Sequence, residues 1–280
     1  MNFLRSPHWE WYIVWYFFLG GIAGGAYFVG AIADNFGGKR DEEVAKSGYL
    51  LALPLTLICG ILLTVDLGTP TRFLNMMRQF KFWNPMSIGS WGLGAFGGFA
   101  FLSAALSFTR DPRLVWLRKN LGKVGSLFGF FLASYTGVLL GSTARPVWTD
   151  ARFMGALFLA SGASTGIAAI GLISYLRRVE LGESWKKIKK ADAFAMAFEV
   201  VLLAVFLATL GSSGRAIWAG PFAAPFWVGL VGIGLVLPLA LSLGLKPRAG
   251  QAGLMAAMAS ILILVGGFAL RYVIVFVGQS

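Results

Sequence analysis

The chain has 280 residues, 57% hydrophobic and only 13% charged, with a formal net charge of +12. About a quarter of a soluble domain's residues are charged, so this balance excludes an ordinary globular protein. The positive excess sits in loops beside apolar runs and carries no nucleic-acid-binding motif, so it points to topology and anionic lipid rather than to a nucleic acid.

Eight apolar runs cover about 11–33, 47–66, 88–108, 124–141, 151–176, 191–210, 222–243 and 252–277. Roughly 20 apolar residues suffice to cross a bilayer as a helix. Lipid offers a bare backbone no hydrogen-bond partners, and these runs lack the period-2 alternation of barrel strands. The expected fold is therefore all-α integral membrane, with eight transmembrane helices. The first residues, with Arg5 and no small-residue cleavage site, do not read as a removable signal peptide.

Taken in order, the first run follows Trp9-Glu10-Trp11 and contains two small-x-x-x-small pairs, Gly20/Gly24 and Gly21/Gly25, which let another backbone approach closely. The second run ends in Asp66, a carboxylate at the edge of lipid that needs pairing or hydration. Arg72 is near enough in sequence to neutralise it. From Thr69 to Trp83 the spacing predicts a short amphipathic helix, with Thr69 as N-cap, Pro70 at the first position and Phe73, Met76, Met77 and Phe80 on one face. Such a segment lies along the membrane surface as an anchor, a roof or a floor for a partner.

Tyr135 sits in the fourth run, where its hydroxyl must find a partner on a neighbouring helix or on a bound molecule. After that run Gly141-Ser142-Thr143-Ala144-Arg145-Pro146-Val147-Trp148 is echoed by Gly211-Ser212-Ser213-Gly214-Arg215-Ala216-Ile217-Trp218. Each repeat places an Arg and a Trp where interfacial anchors are ordinary. In the sixth run Asp192 and Glu199 share a helical face about 10 Å apart along the axis. They read as half of a proton path, or Glu199 as a buried hydrogen-bond donor or a partner for Arg271.

Alternate loops hold very different numbers of Lys and Arg. One set carries residues 39, 40, 46, 110, 113, 118, 119, 123, 177, 178, 186, 187, 189, 190, 246 and 248; the other carries residues 5, 72, 78, 81, 145, 152 and 215. The richer side is expected to be cytoplasmic, with both termini and the segment from Asp66 to Trp91 extracytoplasmic. The lone Cys59 and lone His8 give the chain no thiolate cluster and no paired axial histidines, so neither an iron-sulfur cluster nor a haem wire is expected in it.

The run Asp66-Leu67-Gly68-Thr69-Pro70-Thr71-Arg72-Phe73, followed by Asn84-Pro85-Met86-Ser87-Ile88-Gly89-Ser90-Trp91-Gly92, resembles the signature of the polysulfide-reductase membrane-subunit (NrfD-like) family. The aromatic start and Gly/Ala-rich stretch of the first run are also similar to that family's. The resemblance implies two four-helix bundles, 1–145 with a quinone site and 146–280. It implies electron exchange between a membrane quinone, menaquinone or ubiquinone, and a ferredoxin-like iron-sulfur subunit at the extracytoplasmic face. That partner is often joined to a molybdopterin or other catalytic subunit. Tyr135 looks like the family's quinone-binding tyrosine, and either His8 or Glu10 matches its first-helix polar residue. Asp66 and Arg72 would belong to the pocket and proton exit, Arg145 to the pocket mouth, and Asp192 and Glu199 to a cytoplasmic proton path. A secondary transporter is the alternative, but Pro54 and Pro238 interrupt their spans in unlike settings. A passive anchor for a complex is the other.

Overall fold

Prolines and short polar side chains mark where the apolar runs become helices. The computed structural model describes residues 9–38, 41–67, 71, 77–143, 146–149, 151, 153–179, 182–244 and 252–279, and those are overwhelmingly helical. The long helices are α1 (Trp11–Phe36), α2 (Glu42–Asp66), α3 (Pro85–Leu106), α4 (Pro112–Gly141), α5 (Met154–Leu176) and α6 (Gly182–Leu210). A composite α7 follows, Pro225–Val236 running into Leu237–Gly244, and then α8 (Ala252–Val277). Seven of these are long and apolar enough to cross a bilayer, and Pro225–Leu241 is a shorter apolar helix. The first half of α7 is wound wide, its amides reaching back five residues, as Leu237 N–H does to the Gly232 carbonyl.

Two helix starts are fixed locally. Asn84 accepts from Met86 N–H at 2.9 Å ahead of Pro85, and Asp111 accepts from Arg113 N–H at 2.8 Å ahead of Pro112. Proline suits that first position because the amide it lacks has no partner inside the helix. As a result α4 starts well before the apolar run expected at 124, and Arg118, Lys119 and Lys123 ride on a helix rather than a loop.

Of the predicted surface helix 69–83, residues 69, 70 and 72–76 lie outside the described residues, but its end is visible and comes early. Met77 and Arg78 are helical; from Gln79 the chain leaves the helix. Ser87 takes over the backbone there, accepting from Lys81 N–H at 3.0 Å and donating to the Gln79 carbonyl at 3.5 Å.

The central element is α1, which packs against α2, α4, α5 and α8. Its glycines make this possible. Gly24 abuts the Gly129 carbonyl of α4, Gly25 abuts Gly162 and Gly166 of α5, and Gly30 meets Gly48 of α2. At such crossings a side chain would collide with backbone, so the absence of Cβ sets the interhelical distance and lets Cα–H groups approach carbonyls. The exterior is apolar: Ile61, Phe101, Leu127, Phe194 and Val228 all face outward, exposed. Polar side chains go inward instead.

One such inward cluster lies where α1, α2 and α4 meet on the basic side. Arg118 binds Asp34 with two hydrogen bonds, Nε to Oδ2 at 2.9 Å and Nη2 to Oδ1 at 2.8 Å. Tyr49 donates to Asp34 at 3.3 Å, and Tyr27 shares a 2.7 Å hydrogen bond with Ser103 of α3. The sequence counts Arg118 as a loop charge, whereas it is buried. Its partner stands 84 positions away in the chain, so no local pattern announces the pair.

Two outcomes follow. Gly25→Ala forces α1 and α5 apart and destabilises the protein by about 1–3 kcal/mol, whereas Gly60→Ala, with open space around it, leaves the thermal unfolding curve in detergent unchanged. Asp34→Leu strands the buried Arg118 guanidinium and lowers stability by about 3–5 kcal/mol in the same assay.

Candidate functional site

At the end of the bundle opposite that cluster, the start of α1, the end of α2, the start of α3 and the end of α4 enclose a cavity of about 360 Å³. This falls within the roughly 300–1,000 Å³ of typical small-molecule sites. Trp9, Ile13, Tyr16 and Phe17 line it from α1 and the residues just before; Leu63 and Asp66 from α2, with Leu67 just past its end; Met86, Gly89 and Ser90 from α3; Tyr135 and Leu139 from α4. The wall is mostly apolar, with a carboxylate, two phenols and a serine hydroxyl set into it. That composition suits a largely hydrophobic molecule with a few hydrogen-bonding atoms.

Tyr135 and Asp66, both expected site residues, are brought together here. The Tyr135 hydroxyl donates to the Pro85 carbonyl in the first turn of α3, and its ring stacks on Phe131 at 5.1 Å. A neighbouring helix thus supplies the partner a buried phenol requires, while the ring also borders the cavity. Gly89 lies directly beneath that ring, and a side chain there would occupy the phenol's place. Asp66 is exposed at the end of α2. Glu10, also exposed, lies close enough for the two charges to interact. His8, Arg72 and Arg145, the other expected members, lie outside the described residues.

Sequence reading missed Trp9, Tyr16 and Ser90 as lining residues. A signal was present: Trp9, Ile13, Tyr16 and Phe17 recur at three- and four-residue spacing, the face of one helix. The fully enclosed Cys59 thiol donates to the Tyr16 carbonyl at 3.7 Å, which ties α2 to α1 just behind the cavity.

Asp192 and Glu199 form a second, separate cluster on α6. Asp192 is half-buried with one carboxylate oxygen lacking a hydrogen bond, and its charge interacts with that of Glu199. Glu199, only 4% exposed, is hydrogen-bonded to Ser161 of α5. Ser161 accepts from Arg271 Nη1 of α8. The serine therefore stands between the acid and the guanidinium. Arg271 is fully enclosed, donates also to the Gly267 carbonyl at 2.9 Å and the Phe158 carbonyl at 3.3 Å, and rests against Gly21 of α1. Its guanidinium lies 5.2 Å from the Phe158 ring centroid, and Phe158 meets the cavity-lining Phe17 edge-on at 6.2 Å. Two phenyl rings thus stand between the α6 cluster and the cavity.

The echoed segments after α4 and α6 both contain a one-turn helix, Pro146–Thr149 and Arg215–Trp218. Their tryptophans differ in role. Arg215 is exposed and Trp218 half-buried, as an interfacial pair would be. Trp148 is instead fully buried and donates to the Ile274 carbonyl of α8 at 2.7 Å, so it latches the bundle rather than anchoring it in headgroups.

Comparison with known proteins gives a consistent answer along the whole chain. Residues 3–280 match the family described as polysulphide reductase, NrfD. The C subunit of the polysulfide reductase of Wolinella succinogenes is 29% identical, with 97% of the present sequence and 94% of that protein covered. A protein NrfD homolog of Haemophilus influenzae is 29% identical at the same coverage. Protein NrfD of Escherichia coli is 28% identical over 98% of the present sequence and 96% of its own length. With its apolar helices, polar interior and end-to-end match, the chain is a multi-pass membrane protein that belongs to the NrfD family of polysulphide reductase membrane subunits.

Proposed function

We propose that this protein is the quinone-reactive membrane subunit of an oxidoreductase complex, exchanging electrons between menaquinone or ubiquinone and a ferredoxin-like iron-sulfur subunit docked at the extracytoplasmic face. The observation that carries the reading is the cavity itself, where Tyr135 and Asp66 meet in an apolar wall at the surface opposite the basic loops. A molybdopterin subunit would complete the electron path. In this assignment residues 1–145 hold the quinone and residues 146–280 serve proton movement, with both termini extracytoplasmic in the inner membrane.

The chemistry follows from the side chains. Oxidation of a quinol releases two electrons, passed one at a time to the partner's clusters, and two protons, leaving the quinone; reduction reverses both. Because the Tyr135 proton is engaged by Pro85, its oxygen accepts from a quinol hydroxyl, and a turn of the phenol O–H donates to a quinone carbonyl. Asp66, at the rim with Glu10 near, takes the released proton toward bulk water. Aromatic neighbours exclude water and hold the ring by packing.

Protons drawn from the cytoplasmic side would enter at Asp192, pass to Glu199 and reach Ser161 beside Arg271. The Phe17 and Phe158 rings separate that cluster from the cavity, so the two are coupled only when these rings move.

Measured as quinol-dependent electron transfer in membranes with assembly checked in parallel, Tyr135→Phe and Asp66→Asn each lower the rate by about 10²-fold, the scale of one general acid-base or orienting group. Wild-type rates in both would favour a passive anchor. Glu199→Gln keeps quinone affinity and abolishes proton uptake from the cytoplasmic side, read with a pH-sensitive dye trapped in vesicles; uptake equal to that of the parent protein removes the path.

A further inference from the structure

Trp9 lines the cavity from a segment that has not yet entered α1, so something other than helix geometry must hold it. Gln279, just past the end of α8, does so with one side chain. The Trp9 N–H donates to Gln279 Oε1 at 2.9 Å, and Gln279 Nε2 donates back to the Trp9 carbonyl at 3.1 Å. Both backbone groups of a single residue are thus satisfied by one carboxamide, a two-point clamp that fixes orientation as well as position. The amide is itself braced by a 3.0 Å hydrogen bond from Nε2 to the Val275 carbonyl.

The Trp9 ring is confined from the other side. It packs against Trp148 and Phe17, both at 5.8 Å between centroids. Trp148 is tied to Ile274, five residues before Gln279. Among the described residues, the hydrogen bonds that hold Trp9 and its neighbour Trp148 thus lead to α8 and the residues just past it, although α8 contributes none of the lining residues described.

We propose that Gln279 is a positioning residue for the bound quinone ring, acting through Trp9, and that the end of α8 thereby sets the width of the cavity beside Tyr16 and Tyr135. This rests on the quinone-binding reading above. Loosening the clamp removes ground-state packing on the ring while leaving Tyr135 and Asp66 in place. Binding weakens and the chemical step does not.

The test uses the assembled complex in membranes, with decylubiquinol and menadiol as donors and a hydroxyquinoline N-oxide as a quinone-site probe. Gln279→Ala raises the quinol KM about five- to tenfold and weakens probe binding similarly, with kcat within about twofold of the parent. Gln279→Glu, which keeps the acceptor for the Trp9 N–H and loses the donor, falls between the two. A wild-type KM and probe affinity in Gln279→Ala, while Tyr135→Phe is impaired, overturns this inference alone. If Tyr135→Phe is silent as well, the quinone reading falls with it. Loss of assembly in both Gln279 variants makes the residue structural and also overturns the inference.

Discussion

The close packing of α1 on its neighbours is the constraint from which the other features descend. Without the hydrophobic effect to drive helices together in lipid, association depends on contact distance and on polar groups reaching each other. Glycines on two faces of α1 supply the first, toward Gly129 on one side and toward Gly162 and Gly166 on the other. With the backbones that near, Asp34 meets Arg118 and Cys59 meets the Tyr16 carbonyl. Arg271 then finds a slot against Gly21. The cavity is the space left where α1 begins and the glycine contacts stop.

That arrangement separates three polar regions in depth. The Asp34 and Arg118 pair lies toward the basic side, the Glu199, Ser161 and Arg271 group sits further along behind α1, and Asp66 with Tyr135 opens at the other surface. Aromatic rings fill the intervals, notably Phe17 and Phe158. In the quinone reading proposed above, two-electron chemistry beside a lipid-soluble substrate would benefit from this insulation, because proton leakage between groups is slow where apolar packing is tight.

Much of this was legible in the residues. Run lengths gave the membrane helices, glycine spacing gave the close face of α1, and the segment from Asp66 to Gly92 carried the family resemblance that the end-to-end match bears out. Two of the misses, Arg118 and Trp148, share one cause, which is pairing across long separations in the chain. Arg118 counted as a loop charge because a hydropathy run ignores polar helical turns, and Asp34 is its partner only in three dimensions. Trp148 read as a belt residue because its acceptor, the Ile274 carbonyl, is backbone and leaves no mark in sequence. The expected helix past Arg78 failed because Ser87, a residue of the next helix, captures Lys81 N–H. Tyr135 could be picked out, yet its bond to Pro85 required the fold.

The internal ion pair also bears on biogenesis. Asp34 leaves the ribosome three helices before Arg118, and a bare carboxylate in hydrocarbon is strongly disfavoured. Until the fourth helix emerges, the acid has no guanidinium to meet and relies on water or on the Tyr49 hydroxyl of the second helix. Completion of this half therefore waits on a later segment, and a nascent chain truncated before that arginine holds its carboxylate without the cation that pairs it.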